Sequence, residues 1–203
     1  MIVFSALLLF GAAIAGNPEP RPDVPASVDV ATCVVDNDIG NVRALLKTVP
    51  GSPAEGRVTV KLIAFYGGCN DNRIMSGAFN WHERAELAEA AVLNLLARKA
   101  PNVTDAVGQS GWAFAMPANA KTSADYDAVS VGVRMMGDCL VRTNPQGSLT
   151  LLRSERGSAG EASAINELSG NIASCVPGGQ LLKLKRTDLR LVVAEPLYHV
   201  LSR

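Results

Sequence analysis

The sequence predicts an all-α protein of two tandem, gaplessly repeated four-helix modules, each stapled by a disulfide and joined by a partly apolar connector. Three observations predict it. Cys33 and Cys69 lie 36 positions apart, and so do Cys139 and Cys175. A constant offset of 106 lays residues 33–97 on 139–203 with 13 of 65 positions identical, which is the mark of a duplicated supersecondary unit. Helix-start signals and apolar stripes of helical period recur at matching places in both copies. The matches fall on framework residues: Leu45-Leu46 on Leu151-Leu152, Gly51-Ser52 on Gly157-Ser158, Glu55 on Glu161, Leu62 on Leu168, Arg84 on Arg190, Ala88-Glu89 on Ala194-Glu195 and Leu95 on Leu201.

Residues 1–15, MIVFSALLLFGAAIA, read as a signal peptide. The apolar run is shorter than the roughly 20 residues that span a bilayer. It ends in the small-x-small pattern Ala13-Ile14-Ala15, although no Lys or Arg precedes it. A Pro-rich lead comes next over 16–23, so no stable membrane span is expected after cleavage. The remaining chain divides into module 1 (24–100), a connector (101–122) and module 2 (123–203).

In module 2, Tyr126, Val129, Val133, Met136 and Leu140 form a stripe at alternating spacings of three and four, which predicts the first helix. Asn144-Pro145 supplies an N-cap and a first-turn proline for a short helix carrying Leu149, Leu151 and Leu152. Ser158-Ala-Gly-Glu161 and Ser52-Pro-Ala-Glu55 are capping-box patterns that open a third helix running to the second cysteine of each module. In module 1, Gly67-Gly68 is expected to stop that helix just before Cys69. The last helix begins near Asn80 or Thr187-Asp188. Its apolar body, LAEAAVLNLLA or LVVAEPLYHVL, predicts a central buried helix. Pro196 is expected to kink the second copy.

Export lets disulfides persist. Four cysteines allow three pairings, and Cys33–Cys69 with Cys139–Cys175 is the only one that each module makes alone. Structural zinc wants close C-x2–4-C pairs and redox exchange wants C-x-x-C, and neither spacing occurs. The connector carries Trp112, Phe114 and Met116 at alternate positions, an apolar strip expected to dock between the modules or onto a partner.

The residues that might carry chemistry are few. His82 reads as polar surface at a helix start, and His199 as a partly buried packing residue. Arg84 and Arg190, Glu89 and Glu195 are kept in both copies. Five residues apart on one helix, an Arg and a Glu point about 140° away from each other, so each needs a partner elsewhere. A carboxylate on an apolar helix must find an Arg or hydrogen bonds. The expectation is that Glu89 and Glu195 tie their helices to a neighbour near a shared core, the modules packing about a pseudo-two-fold axis through their final helices. The sharper alternative is a pair of ligand-binding carboxylates. The Asn102-Val103-Thr104 sequon reads as a chance tripeptide. No catalytic, metal or cofactor motif stands out.

The chain resembles a group of exported helical proteins of alphaproteobacteria to which no activity is assigned. The resemblance rests on Cys33-Val34-Val35, Leu45-Leu46, Pro50-Gly51-Ser52-Pro53, Leu62 and Cys69. It continues in Pro177-Gly178-Gly179-Gln180-Leu181-Leu182, Leu189-Arg190 and Ala194-Glu195-Pro196-Leu197-Tyr198. It implies export to the periplasm or exterior of a Gram-negative bacterium and supplies no site. A formal net charge of zero argues against nucleic acid as partner. The leading expectation is a non-enzymatic binding or scaffold protein whose partner is a protein or envelope component. A stress-protective or chaperone-like role comes second, and an enzyme with its site in the inter-module groove near Trp112 third.

Overall fold

A computed structural model of the chain describes residues 27–69, 81–98, 103, 128–176 and 184–203. Residues 1–15, the Pro-rich lead and the Trp112-Phe114-Met116 strip lie outside them. Seven α-helices make up the described structure: α1 (Ser27–Leu46), α2 (Pro53–Cys69), α3 (Trp81–Arg98), α4 (Ala128–Thr143), α5 (Pro145–Arg153), α6 (Ala159–Cys175) and α7 (Leu189–Leu201). A 3-10 turn over Arg186–Asp188 leads into α7. No strand occurs among the described residues, and none of their helices is long and apolar enough to cross a membrane.

In the first half α1, two helical stretches joined across a kink, stands where the second half has α4 and α5. The break survives inside it, because Asp38 leaves helical dihedrals (φ −144°, ψ 49°) much as Asn144 does (φ −139°, ψ 72°). Both side chains cap the next helical turn: Asp38 Oδ1 accepts from the Asn41 N–H at 3.3 Å and Asn144 Oδ1 from the Gly147 N–H at 2.8 Å. Pro145 has no N–H and ends the ladder outright, whereas Ile39 can carry it across the kink.

The turns into α2 and α6 are built alike. Gly51 and Gly157 adopt φ of 73° and 75°, a left-handed conformation that side-chain-bearing residues resist. Ser52 and Ser158 Oγ then accept from the N–H of Glu55 and Glu161 at 3.2 and 3.1 Å. The glutamates reach one residue further back than a standard capping box, to the N–H of Gly51 and Gly157. One expected break differs from the structure. α2 continues through Gly67 and Gly68 to Cys69, since neither glycine takes the left-handed conformation that ends a helix. α7 runs unbroken through Pro196.

Both disulfides are the symmetric pair, Cys33–Cys69 and Cys139–Cys175, with Cα atoms 5.8 and 5.4 Å apart. Each ties the first helix of its half to the last turn of α2 or α6. One apolar core runs through both halves and includes Val34, Leu45, Leu62, Leu87, Leu140, Leu152, Leu168 and Leu197, all buried, together with Val103. Val133, Met136 and Leu140 of the predicted α4 stripe are buried in it. The centre is α3 against α7, with α1 packed on α3 and α4 on α7. All of α7 from Leu189 to Tyr198 is buried, as its all-round apolar sequence requires.

Pro196 has a local consequence. It cannot donate to the Val192 carbonyl four residues back, and that carbonyl lies against Gly137 of α4. A Cβ on Gly137 would stand 2.1 Å from Val192 O, a backbone atom that cannot swing aside. Gly137→Ala is therefore expected to force α4 from α7 and cost about 1–3 kcal/mol, as overpacking does. Urea denaturation measures this, and an unchanged midpoint would contradict the close approach.

Candidate functional site

The most concentrated buried chemistry lies where α3 and α7 meet. Arg84 on α3 is 1% exposed. Its Nε and Nη2 both donate to Glu195 of α7, at 2.8 and 2.6 Å to Oε1. Its Nη1 donates to Glu55 Oε1 at 2.7 Å and Thr48 Oγ1 at 3.1 Å. Nη2 also reaches the Thr48 carbonyl at 3.0 Å, closing off the end of α1. Arg190 on α7 repeats the arrangement. Nε donates to Glu89 Oε1 of α3 at 2.7 Å, Nη1 to Glu161 Oε1 at 2.9 Å and Ser154 Oγ at 3.3 Å, and Nη2 to the Leu152 carbonyl at 2.8 Å. Each partner of Arg190 in its own half sits 106 positions beyond a partner of Arg84, the Leu152 carbonyl beyond that of Leu46, which Arg84 Nη2 reaches at 3.5 Å. The partner on the central helix is always taken from the other half.

The four residues singled out in the sequence are thus brought together in two reciprocal ion pairs. Arg84–Glu195 and Arg190–Glu89 run in opposite order along the two helices, so α3 and α7 cross antiparallel. Geometry also gives the turn glutamates a double role. One oxygen of Glu55 or Glu161 holds the left-handed glycine turn, and the other holds the arginine. Sequence reasoning left these two out of the arginine network. The available signal was that Glu55/Arg84 and Glu161/Arg190 are both retained at a separation of 29.

The two clusters differ at their edges. Glu89 also accepts from Arg156, which is 40% exposed and has Pro50 at the matching place in the first half. Glu195 instead has His199 Nε2 at 3.8 Å from Oε1. Burial pushes the Glu195 carboxyl up, but the charges of Arg84 and Arg134, the hydrogen bonds from Arg84 and the neighbouring His199 outweigh it and hold it at about 2. Burial likewise lowers Arg84, and Glu195 and Glu55 reverse this and raise it. Glu161 sits below the ordinary carboxylate range, its desolvation offset by the Gly157 N–H and Arg190.

An arginine has five N–H donors, and those of Arg84 are directed to protein acceptors. The arrangement suits a lock better than a ligand site. Desolvating these ions costs several kcal/mol each, so the pairs add little net stability over a well-packed apolar contact. They fix the register, because sliding α3 along α7 would strand buried charges. A pH dependence results. Glu195 titrates at about 2 when folded and at its ordinary 4.5 when unfolded. Its contribution is complete above pH 4.5, falls as pH drops from there toward 2, and is gone below. The loss should be on the order of 3 kcal/mol. Denaturation midpoints between pH 6 and 2.5 measure it, and Glu195→Gln is expected to flatten this limb.

The other predicted positions are scattered. His82 is exposed at the start of α3, stacked at 3.7 Å between ring centroids on Trp81, and no cluster of metal-ligating side chains forms among the described residues. A second feature lies away from the lock. Met136, Ile165, Ile172, Val176, Leu184 and Leu189 line an apolar groove of about 170 Å³, with Lys185 and Arg186 on its rim. At the matching places the first half carries Thr59 for Ile165, Glu83 for Leu189, Phe79 for Lys185 and Asn80 for Arg186. Compared with protein-family models, curated proteins and solved structures, the chain matches none.

Proposed function

We propose that this is an exported, non-enzymatic binding protein of the Gram-negative periplasm or cell exterior, a rigid scaffold that holds a partner protein in the groove of its second half. The observation that carries this reading is the contrast between the halves. Cysteines, glycine turns, capping serines, arginines and glutamates match and make matching contacts, whereas the groove residues do not match. A framework kept twice, beside a groove whose lining residues differ from their counterparts, is the pattern of a scaffold with a specialised face.

The chemistry of the groove suggests its occupant. A dry apolar cavity of about 150 Å³ accepts benzene, so a groove of about 170 Å³ suits one bulky apolar side chain. The exposed Lys185 and Arg186 favour carboxylates beside it. The partner is then a protein segment presenting Phe or Leu flanked by Asp or Glu. Two disulfides accord with the oxidising compartment that such a role requires.

Selection of displayed peptides on the purified chain tests this. The expected consensus is an aromatic or leucine residue next to acidic ones, with binding at least tenfold weaker to Lys185→Glu/Arg186→Glu and to Ile172→Gln. Selected peptides without that pattern, or binding indifferent to these changes, would contradict the reading.

A further inference from the structure

The lock between the halves is self-matching, and this bears on a second copy of the chain. On α3, at 3.6 residues per turn, Ala85, Ala88 and Val92 point between the directions of Arg84 and Glu89. The corresponding residues of α7 are Leu191, Ala194 and Tyr198, between Arg190 and Glu195. All six are buried. The charges would suit any pairing of these faces, since Arg84 could meet Glu89 of another copy as readily as it meets Glu195. The shapes would not. Two α3 faces would leave Ala opposite Ala and Val, a void, while two α7 faces would crowd Leu and Tyr against each other. A small face fits only a large one.

We propose that two copies of the chain associate by reciprocal exchange of halves, α3 of each taking α7 of the other through the same two ion pairs. Every contact of the closed chain is remade in the exchanged dimer, which is why swapping is a low-cost route to association. Chain length permits it. Between the buried Val103 and the start of α4 at Ala128 lie 24 residues, enough to span roughly 80 Å when extended. Both disulfides are internal to a half and do not obstruct exchange. Closure within one chain competes at an effective concentration in the millimolar range, so exchange needs the lock to open at high local concentration.

The test uses the whole exported chain. Uniformly 13C-labelled and unlabelled protein are mixed equally, unfolded in guanidinium without reductant, and refolded at about 10 μM and about 1 mM, below and near that effective concentration. The expected result is monomer at the low concentration and a species of twice the mass at the high one. In that species, isotope-filtered cross-peaks should join α3 methyls of labelled Ala88 to α7 side chains of unlabelled chains. Monomer alone at both concentrations would overturn the proposal. So would a dimer in which every α3–α7 cross-peak stays within one chain, since that association would use another surface.

Discussion

Replacing all four cysteines with alanine is expected to leave the chain largely unfolded at 37 °C. Each disulfide closes a loop of about 37 residues, and the chain-entropy relation gives about 4 kcal/mol for such a loop. Two together remove about 8 kcal/mol, against a total stability of about 5–15 kcal/mol for ordinary domains. Removing one pair should leave a folded chain with its midpoint lowered by the equivalent of about 4 kcal/mol. Because α3 and α7 share one core, the loss in either half should be felt by both, giving one transition rather than two. Circular dichroism in urea, without reductant, reads both outcomes. A quadruple variant as stable as the parent would contradict them.

The second large effect belongs to Arg84. Arg84→Ala removes the guanidinium bonded to the Glu195 carboxylate, leaves Glu55 facing Glu195 across a void, and strips a donor from the Thr48 carbonyl. Breaking a buried pair from one side costs about 3–5 kcal/mol, because the abandoned charge stays out of water. Arg190→Ala should cost somewhat less, since Glu89 retains Arg156. Denaturant titration of the two variants ranks them, and equal, sub-kilocalorie losses would show that the arginines are not confined as described.

How much of this was legible in the chain depends on the range of the interaction. Asn144-Pro145, Ser158 with Glu161 and Ser52 with Glu55 act within a few residues of themselves, and the structure places helix starts at all three. The disulfides were legible for another reason: the shared spacing of 36 singles out one of the three possible pairings. Glu89 and Glu195 announced themselves as carboxylates in need of partners on apolar helices. Which partner each takes was not legible, because the answer lies in the other half and depends on how α3 crosses α7. Gly67 and Gly68 misled because glycine only permits a left-handed stop; Gly51 and Gly157 take one, with a glutamate holding each turn. The groove was hidden as well. Its residues are spread over α4, α6 and the approach to α7, and only packing gathers them.

The two halves are locked in register by ion pairs exchanged between them. Double-mutant cycles between Arg84 and Glu195, and between Arg190 and Glu89, test it most directly, since each joins residues more than 100 positions apart on different helices. Coupling of about 1–3 kcal/mol is expected in both cycles, the range for residues in direct contact. Effects that add within about 0.5 kcal/mol, as distant sites do, would contradict it.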